Sequence, residues 1–371
     1  MKLTLKQDPK ALLRHAIQRV AVGPNRGHDL TREQCRELGR MLLEPGFDEV
    51  QAAVLLIALR MKGETLDELQ GLLDAFNENL WQGDARTDAL PRVPELVCVA
   101  EPFDGYSRHV PVSPFLPAVL AACEVPALMI GVHSVGPKHG LTPHKIYRQA
   151  GIDIDLRAPD VAQLIESVGW GYLDQASYAS SLNRLAGLRD RIVKRTALTT
   201  LERLLMPMRG QQATHLVLGY VHRAYPDIYA ALAGQAGYSS VLLTKGIEGG
   251  VTPAPNKPLR SELSCFSDVD SEPRSRQSIS LGKGLDMSES LPPVSDGSMD
   301  IRISQCLDQG QAVLMGLPGP ARDTLCLAAA QILLAYGRFD SFTAAVVKVQ
   351  NSLDNGSANA SFDALVRASA A

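Results

Sequence analysis

No CxxC pair, GxGxxG loop, Walker A motif, HExxH or zinc-ligand spacing occurs in the 371-residue sequence. The signatures of a dinucleotide fold, a P-loop NTPase and a zinc hydrolase are therefore absent. The six cysteines are scattered among mostly apolar neighbours, as expected of reduced, partly buried thiols in a cytoplasmic protein. The first twenty residues lack a continuous apolar core and a small-residue cleavage site, so no secretory signal is expected. Between Pro111 and Val132 the longest apolar stretch is broken by four prolines and Glu124, which predicts a helix and a strand rather than a membrane span. Net charge is also scarce, at −3. That excludes a uniformly basic surface, and a polyanionic partner would require the cations to be segregated on one face. With 45% apolar and 21% charged residues, the chain is a folded protein large enough for two domains, not a disordered tail.

The N-terminal part reads as helices. Thr31 followed by Gln34 predicts a capping box for a short helix ending near Leu43. From Asp48 two helices follow, separated at Gly63, with Thr65 capping the second. The first is apolar nearly all round from Ala52 to Leu59, the pattern of a helix buried between neighbours. Apolar strands are expected at Leu96 to Ala100, Ala127 to Val132, His215 to Tyr220 and Ser240 to Gly246, with helices between them. This is the texture of a mostly parallel sheet. Residues 161–206 read as a long helical insertion. Residues 261–300, with eleven serines, read as long surface loops with edge strands where ISL occurs. The expected organisation is a small helical domain over residues 1–90, joined by helices from about 161–206, and a larger α/β domain over 91–371.

Charge chemistry concentrates in three loops and one segment. The loop HSVGPKHGLTPHK carries His133, Lys138, His139, His144 and Lys145, and leaves the C-terminal end of a parallel strand, where backbone amides meet anions. It reads either as an anion site or as a solvated basic loop; a three-histidine metal site would lack a carboxylate. In the turn after the first strand, Asp104-Gly105 bends the chain. Arg108 and His109 can face an anion there, while Tyr106 and Arg108 are expected to crowd the backbone. Glu248 in KGIEGG is a lone carboxylate able to help hold Mg²⁺ through water. No nucleophilic triad or acid–base pair stands out, so no catalytic residue is assigned.

The sharpest asymmetry is the run from Arg184 to Arg209, where Arg184, Arg189, Arg191, Lys194, Arg195, Arg203 and Arg209 face only Asp190 and Glu202. At about 100° per residue, Arg184, Arg191 and Arg195 share one helical face, with Lys194 beside them and Arg189 pointing elsewhere. Such a stripe tracks phosphates, forms surface ion pairs or holds a protein partner. No aromatic residue interleaves with it, which favours backbone contact over base stacking.

LLIALRMKGETLDEL, Leu55 to Leu69, resembles the N-terminal segment of anthranilate phosphoribosyltransferases, and the order of later elements is similar through the KGIEGG turn to the last helices. The resemblance covers most of the chain. It implies the phosphoribosyltransferase and nucleoside phosphorylase class of fold, a homodimer through the helical domain, and a diphosphate-bearing ribose donor with Mg²⁺ between the domains. The motifs depart from the family pattern: FDGYSR stands where the family has GTGGD, keeping Gly105. VHSVG stands for KHGNR, keeping His133, and the region around Glu248 replaces an Asp-Glu metal pair. A matching arginine is Arg189.

One branch of the family is described as nucleic-acid-binding homodimers, and resemblance to that branch raises the weight of the basic run. The expectation is therefore a sequence-nonspecific nucleic-acid-binding homodimer, DNA ahead of RNA, with no cofactor required. It would bind through Arg184, Arg191, Lys194, Arg195, Arg203 and Arg209, extended by Lys138, Lys145 and Arg148. The alternative is a Mg²⁺-dependent transferase using phosphoribosyl diphosphate with an acceptor other than anthranilate. Its donor residues would come from Asp104, Gly105, Arg108, His133, Lys138, His139 and Arg189, with Glu248 toward the metal. A non-catalytic protein-interaction scaffold is the third possibility.

Overall fold

A computed structural model describes residues 9–23, 26–82, 91–267, 270–281 and 290–370. The expected domain boundary near residue 90 and part of the serine-rich segment lie outside the described residues. Four helices come first: α1 (Pro9–Val20), α2 (Arg32–Leu43), α3 (Glu49–Lys62) and α4 (Leu66–Gln82). Their ends follow from local chemistry. Thr31 and Gln34 form both halves of a capping box on α2, the Asp48 carboxylate accepts from two amides of α3, and Gly63 ends α3 at φ 89°, a conformation that costs glycine little.

The α2–α4 crossing is close because Gly39 and Gly71 sit in it. A Cβ at Gly71 would overlap the Arg32 carbonyl and come within 2.8 Å of the Cys35 Cβ. Gly71→Ala is expected to destabilise the protein by about 1–3 kcal/mol despite alanine's better helix propensity. A thermal melt unchanged or raised by the substitution would contradict that packing.

The rest of the chain builds one seven-stranded sheet. In chain order come β1 (Glu95–Ala100), α5 (Leu116–Ala122), β2 (Ala127–Gly131), α6 (Pro143–Gln149), α7 (Ala158–Val168) and β3 (Trp170–Asp174). Four short helices follow, α8 (Gln175–Tyr178), α9 (Ser180–Asn183), α10 (Ala186–Ile192) and α11 (Ala197–Leu201). Then come β4 (Ala213–Tyr220), α12 (Tyr225–Gln235), β5 (Ser240–Lys245), β6 (Leu259–Ser267), β7 (Asp270–Leu281), α13 (Met299–Leu314), α14 (Pro320–Ala335), α15 (Phe342–Asp354) and α16 (Ser357–Ser369). The strand order is β3-β2-β1-β4-β5-β6-β7; the first five are parallel and the last two antiparallel.

Alternation along β1 explains the layers. Leu96, Cys98 and Ala100 join a core shared with the four-helix bundle, while Val97 and Val99 pack with α5 and the C-terminal helices on the other face. Both faces are buried, so the central strands read as unbroken apolar runs. The architecture is a small N-terminal helical domain on a larger mixed α/β domain.

Three sequence expectations are corrected. Residues 161–206 are not helical throughout: β3 runs through them, because WGYLD is buried along its whole length. Of that segment, α10 and α11 touch α3 and α4, whereas α7 lies on β3 and α16. In the serine-rich stretch the edge strand expected at ISL is present but far longer, β7 pairing with β6 in an antiparallel ladder where loops were expected, while residues 290–298 form neither helix nor strand. Finally, α3 is not enclosed: Ala52, Leu55, Leu56 and Leu59 are buried, but Val50, Val54 and Met61 are exposed, since α1, α10 and α11 cover it on one side only.

Candidate active site

A cleft of about 700 Å³ opens between the α3–α4 end of the bundle, at Arg60, Gly63, Glu64 and Leu69, and the C-terminal ends of β1, β4 and β5. The loops after β1 and β2 form its floor and are zipped together. Tyr106 and Leu141 exchange backbone hydrogen bonds of 2.9 and 2.8 Å, and the Gly140 amide donates to the Asp104 carbonyl. Glycine is required at 140, where a Cβ would overlap the Tyr106 backbone. Tyr106 does not crowd the loop, contrary to expectation. It is buried, and its hydroxyl donates to the carboxylate of Glu101, which also accepts from the Val251 amide. Burial raises the Glu101 pKa against those donors.

With the tyrosine turned inward, three successive amides of this loop point at one carboxylate. Glu248 accepts from the N–H groups of Ser107 at 3.2 Å, Arg108 at 2.9 Å and His109 at 3.0 Å, and its side chain is 1% exposed. Lys138 Nζ stands 3.2 Å from the same carboxylate, donates to the Gly105 carbonyl at 2.6 Å and lies 3.7 Å from Asp104. Burial alone would raise the Glu248 pKa, but the Lys138 ammonium and the three amides outweigh it and hold the pKa at about 2.

A carboxyl so depressed stabilises the fold fully above its ordinary value of 4.5 and loses that contribution as pH falls toward 2. An acid-denaturation series should therefore show Glu248→Gln flattening the stability loss between pH 4.5 and 2. An unaltered slope would contradict the geometry.

The remaining cations are placed individually. Arg195 grips the buried Asp104, Nε to Oδ2 at 3.0 Å, at the cleft wall. Arg203 is buried at the cleft floor, donating to the carbonyls of Gly219 at 3.0 Å and Gly249 at 3.1 Å and to the Tyr229 hydroxyl. Arg108 lines the cleft with an exposed side chain. Arg189 does not face the cleft; it is buried against Glu202 and Thr199. Arg184 donates to the Leu43 carbonyl at 2.8 Å, and Arg191 pairs with Glu49 of α3. Lys194 is exposed, and Arg209 lies next to Gly237. Lys145 Nζ clips the Gly140 carbonyl at 2.7 Å, burial lowering its pKa.

The single-face stripe is thus corrected. Val193 adopts φ 59° and ends α10, so the run from Arg184 to Arg209 spans several short helices whose cations point into different environments.

The histidines gather elsewhere. His139 is 3.4 Å from Asp190. His144 is buried, with Nδ1 2.7 Å from Asp174, which also accepts from the Tyr172 hydroxyl. His133 stands edge-on to His144, its pKa lowered by burial and then by His144, and with Arg148 it lines a second cleft of about 470 Å³. Among the described residues, no group of three or more His, Cys, Asp or Glu can hold a metal ion. Sequence reasoning missed Glu101, Tyr225 and Tyr229. Only the tyrosines carried a signal, their four-residue spacing on α12.

Residues 14–79 match the helical bundle domain of a glycosyl transferase family, and residues 105–254 match that family's a/b domain. An uncharacterized protein of Aquifex aeolicus is 28% identical over 62% of this chain and 67% of its own length. The anthranilate phosphoribosyltransferase of Methylocella silvestris is 24% identical over 92% of each chain. The anthranilate phosphoribosyltransferase of Saccharomyces cerevisiae, solved in complex with PRPP and Mg, superposes with a TM-score of 0.73 at 14% identity, covering 97% of this chain and 98% of its own.

A helical bundle capping a mixed sheet, with a cation-lined cleft between them, defines the two-domain glycosyl transferase class. Within that class, the chain is homologous to the anthranilate phosphoribosyltransferase family. The homology is to the family as a whole and not to its nucleic-acid-binding branch in particular.

The expectation of a nucleic-acid-binding homodimer is thereby overturned: sequence and fold align over nearly the whole chain with transferases, and the basic run is dispersed. The expectation that no cofactor is required falls with it, since the shared fold is that of an enzyme solved with PRPP and Mg. Among the described residues, no helix is long and apolar enough to cross a membrane.

Proposed function

We propose that the protein is a phosphoribosyltransferase whose donor is phosphoribosyl diphosphate, bound in the cleft between the bundle and the sheet. The observation that carries this reading is the convergence of Lys138, Arg195, Arg203 and the 107–109 amides at the C-terminal edge of a parallel sheet, beneath the bundle. Backbone amides and guanidinium groups are the donors that phosphate oxygens require, and strand ends of open α/β sheets are where such ligands sit.

The phosphate-bearing half of the donor fits these residues. Magnesium is usually held by one or two carboxylates together with substrate phosphates. Asp104, which lines the cleft beside Lys138 and Arg195, would supply a protein ligand, and the bound ion would neutralise diphosphate charge. In the transfer, the bond from ribose C1 to the diphosphate breaks, an acceptor nucleophile bonds to C1, and diphosphate leaves with the electron pair. Lys138 and Arg195 are positioned to orient that leaving group. Tyr225 and Tyr229 line the α12 wall, a surface suited to a flat acceptor. Six unpaired cysteines suit a reducing compartment, and the cytoplasm is the location we propose.

Calorimetric titration of the full chain with phosphoribosyl diphosphate is expected to show saturable binding that requires Mg²⁺. Diphosphate release should then follow with one of a panel of aromatic amines and nucleobases. Absence of binding at millimolar donor overturns the proposal.

A further inference from the structure

We propose that Glu248 is a built-in stopper of the cleft's anion cradle: its carboxylate occupies the position of an incoming phosphate group, and an oxyanion binds there only by displacing it. The inference deepens the donor-cleft reading and rests on it for the identity of the natural ligand. Its geometry stands independently. Three consecutive amides, Ser107, Arg108 and His109, form a concave set of donors, the arrangement that cradles phosphate oxygens in other folds. Lys138 closes the cradle from the side, and the Ser107 hydroxyl adds a donor at 3.3 Å. All of these donors converge on a carboxylate 110 to 141 residues further along the chain.

The backbone of Glu248 supports the assignment. It adopts φ 52° and ψ 18°, left-handed for a residue with a Cβ and therefore strained. Glycine would adopt that conformation freely, and glycines do occupy the next two positions. The carboxylate compensates for the strain by satisfying amides that would otherwise be left without an acceptor in a partly closed cleft. The segment also cannot drift. A Cβ at Gly246 or at Gly219 would overlap the Gly250 carbonyl, so the turn is pressed against the ends of β4 and β5. Glu248 is therefore a short arm on a fixed base, and the conformer that leaves the cradle swings its carboxylate into the cleft it lines. Carboxylate and phosphate cannot share the cradle, because two anions within a few ångströms at low dielectric repel strongly.

The test uses inorganic diphosphate without metal, so no turnover is involved. Isothermal titration compares the wild-type protein with Glu248→Gln, Glu248→Gly and Glu248→Asp, each checked by its melting profile. Both neutral variants are expected to bind diphosphate at least tenfold more tightly than wild type. The shorter carboxylate of Glu248→Asp, unable to reach all three amides, should give an intermediate affinity. Folded neutral variants that bind diphosphate no better than wild type overturn the proposal. Should those not fold, a Glu248→Asp protein that binds diphosphate no more tightly than wild type overturns it as well. Tighter diphosphate binding in the variants with no phosphoribosyl diphosphate binding to any form sustains the stopper and sinks the donor reading. The converse result sustains the donor reading and sinks the stopper.

Discussion

Replacing Arg189 with methionine is expected to destabilise the protein by about 3–5 kcal/mol, a fall of several degrees in melting temperature. Arg189 is 5% exposed, and its guanidinium meets Glu202, which is wholly buried, through both terminal nitrogens. Burial raises the Glu202 pKa and Arg189 is the main group opposing it, so the single substitution strands a buried carboxylate that keeps only the weaker pull of Arg203. The double variant Arg189→Met, Glu202→Leu should recover most of the loss, because apolar side chains of similar volume replace a buried pair without leaving a charge behind. Arg191→Ala provides the contrast. Its partner Glu49 is exposed, as it is itself, and the change should fall under about 1 kcal/mol. Equal effects of the two single substitutions in a thermal melt would contradict this assignment of buried and surface pairs.

Lys138→Met is expected to weaken phosphoribosyl diphosphate binding on the order of 100-fold while leaving the melting profile nearly unchanged. Among the described residues, the ammonium is the single cation that touches Asp104, the Gly105 carbonyl and Glu248 together. Without it Asp104 still has Arg195 and Glu248 still has three amides, which is why the fold should persist. The donor, by contrast, loses a charge at the mouth of the cradle. Titration with donor and Mg²⁺ reads the effect directly, and an affinity within threefold of wild type would remove Lys138 from the site.

What was legible in the sequence was what is local. The Thr31 box, the Asp48 cap and the Gly63 stop each involve donors and acceptors within a few residues, so their spacing specifies them. The central strands were legible because burial on both faces leaves unbroken apolar runs. β3 was not, since Trp170 follows directly on Gly169, the left-handed end of α7, and five residues between helical patterns carry little periodic signal. The basic run misled for a related reason. Helical spacing over Arg184 to Arg209 assumed one helix, and Val193, a β-branched residue in a left-handed conformation, breaks it where no glycine or proline marks the break. The Glu248 contact joins loops that only the strand order brings together, so the lone carboxylate could be noticed in the sequence but its partners could not.

The free edge at β7 has a consequence for the protein in solution. An unpaired strand edge offers amides and carbonyls to any other extended chain, and a twelve-residue edge would invite accretion of one molecule upon another. Here the edge carries Pro273, which has no N–H to offer, and then the exposed Arg274 and Arg276, the latter tied to Asp227 of α12. The segment read from its serines as loop with an edge strand thus ends the sheet on a strand whose proline and arginines disfavour edge-to-edge pairing.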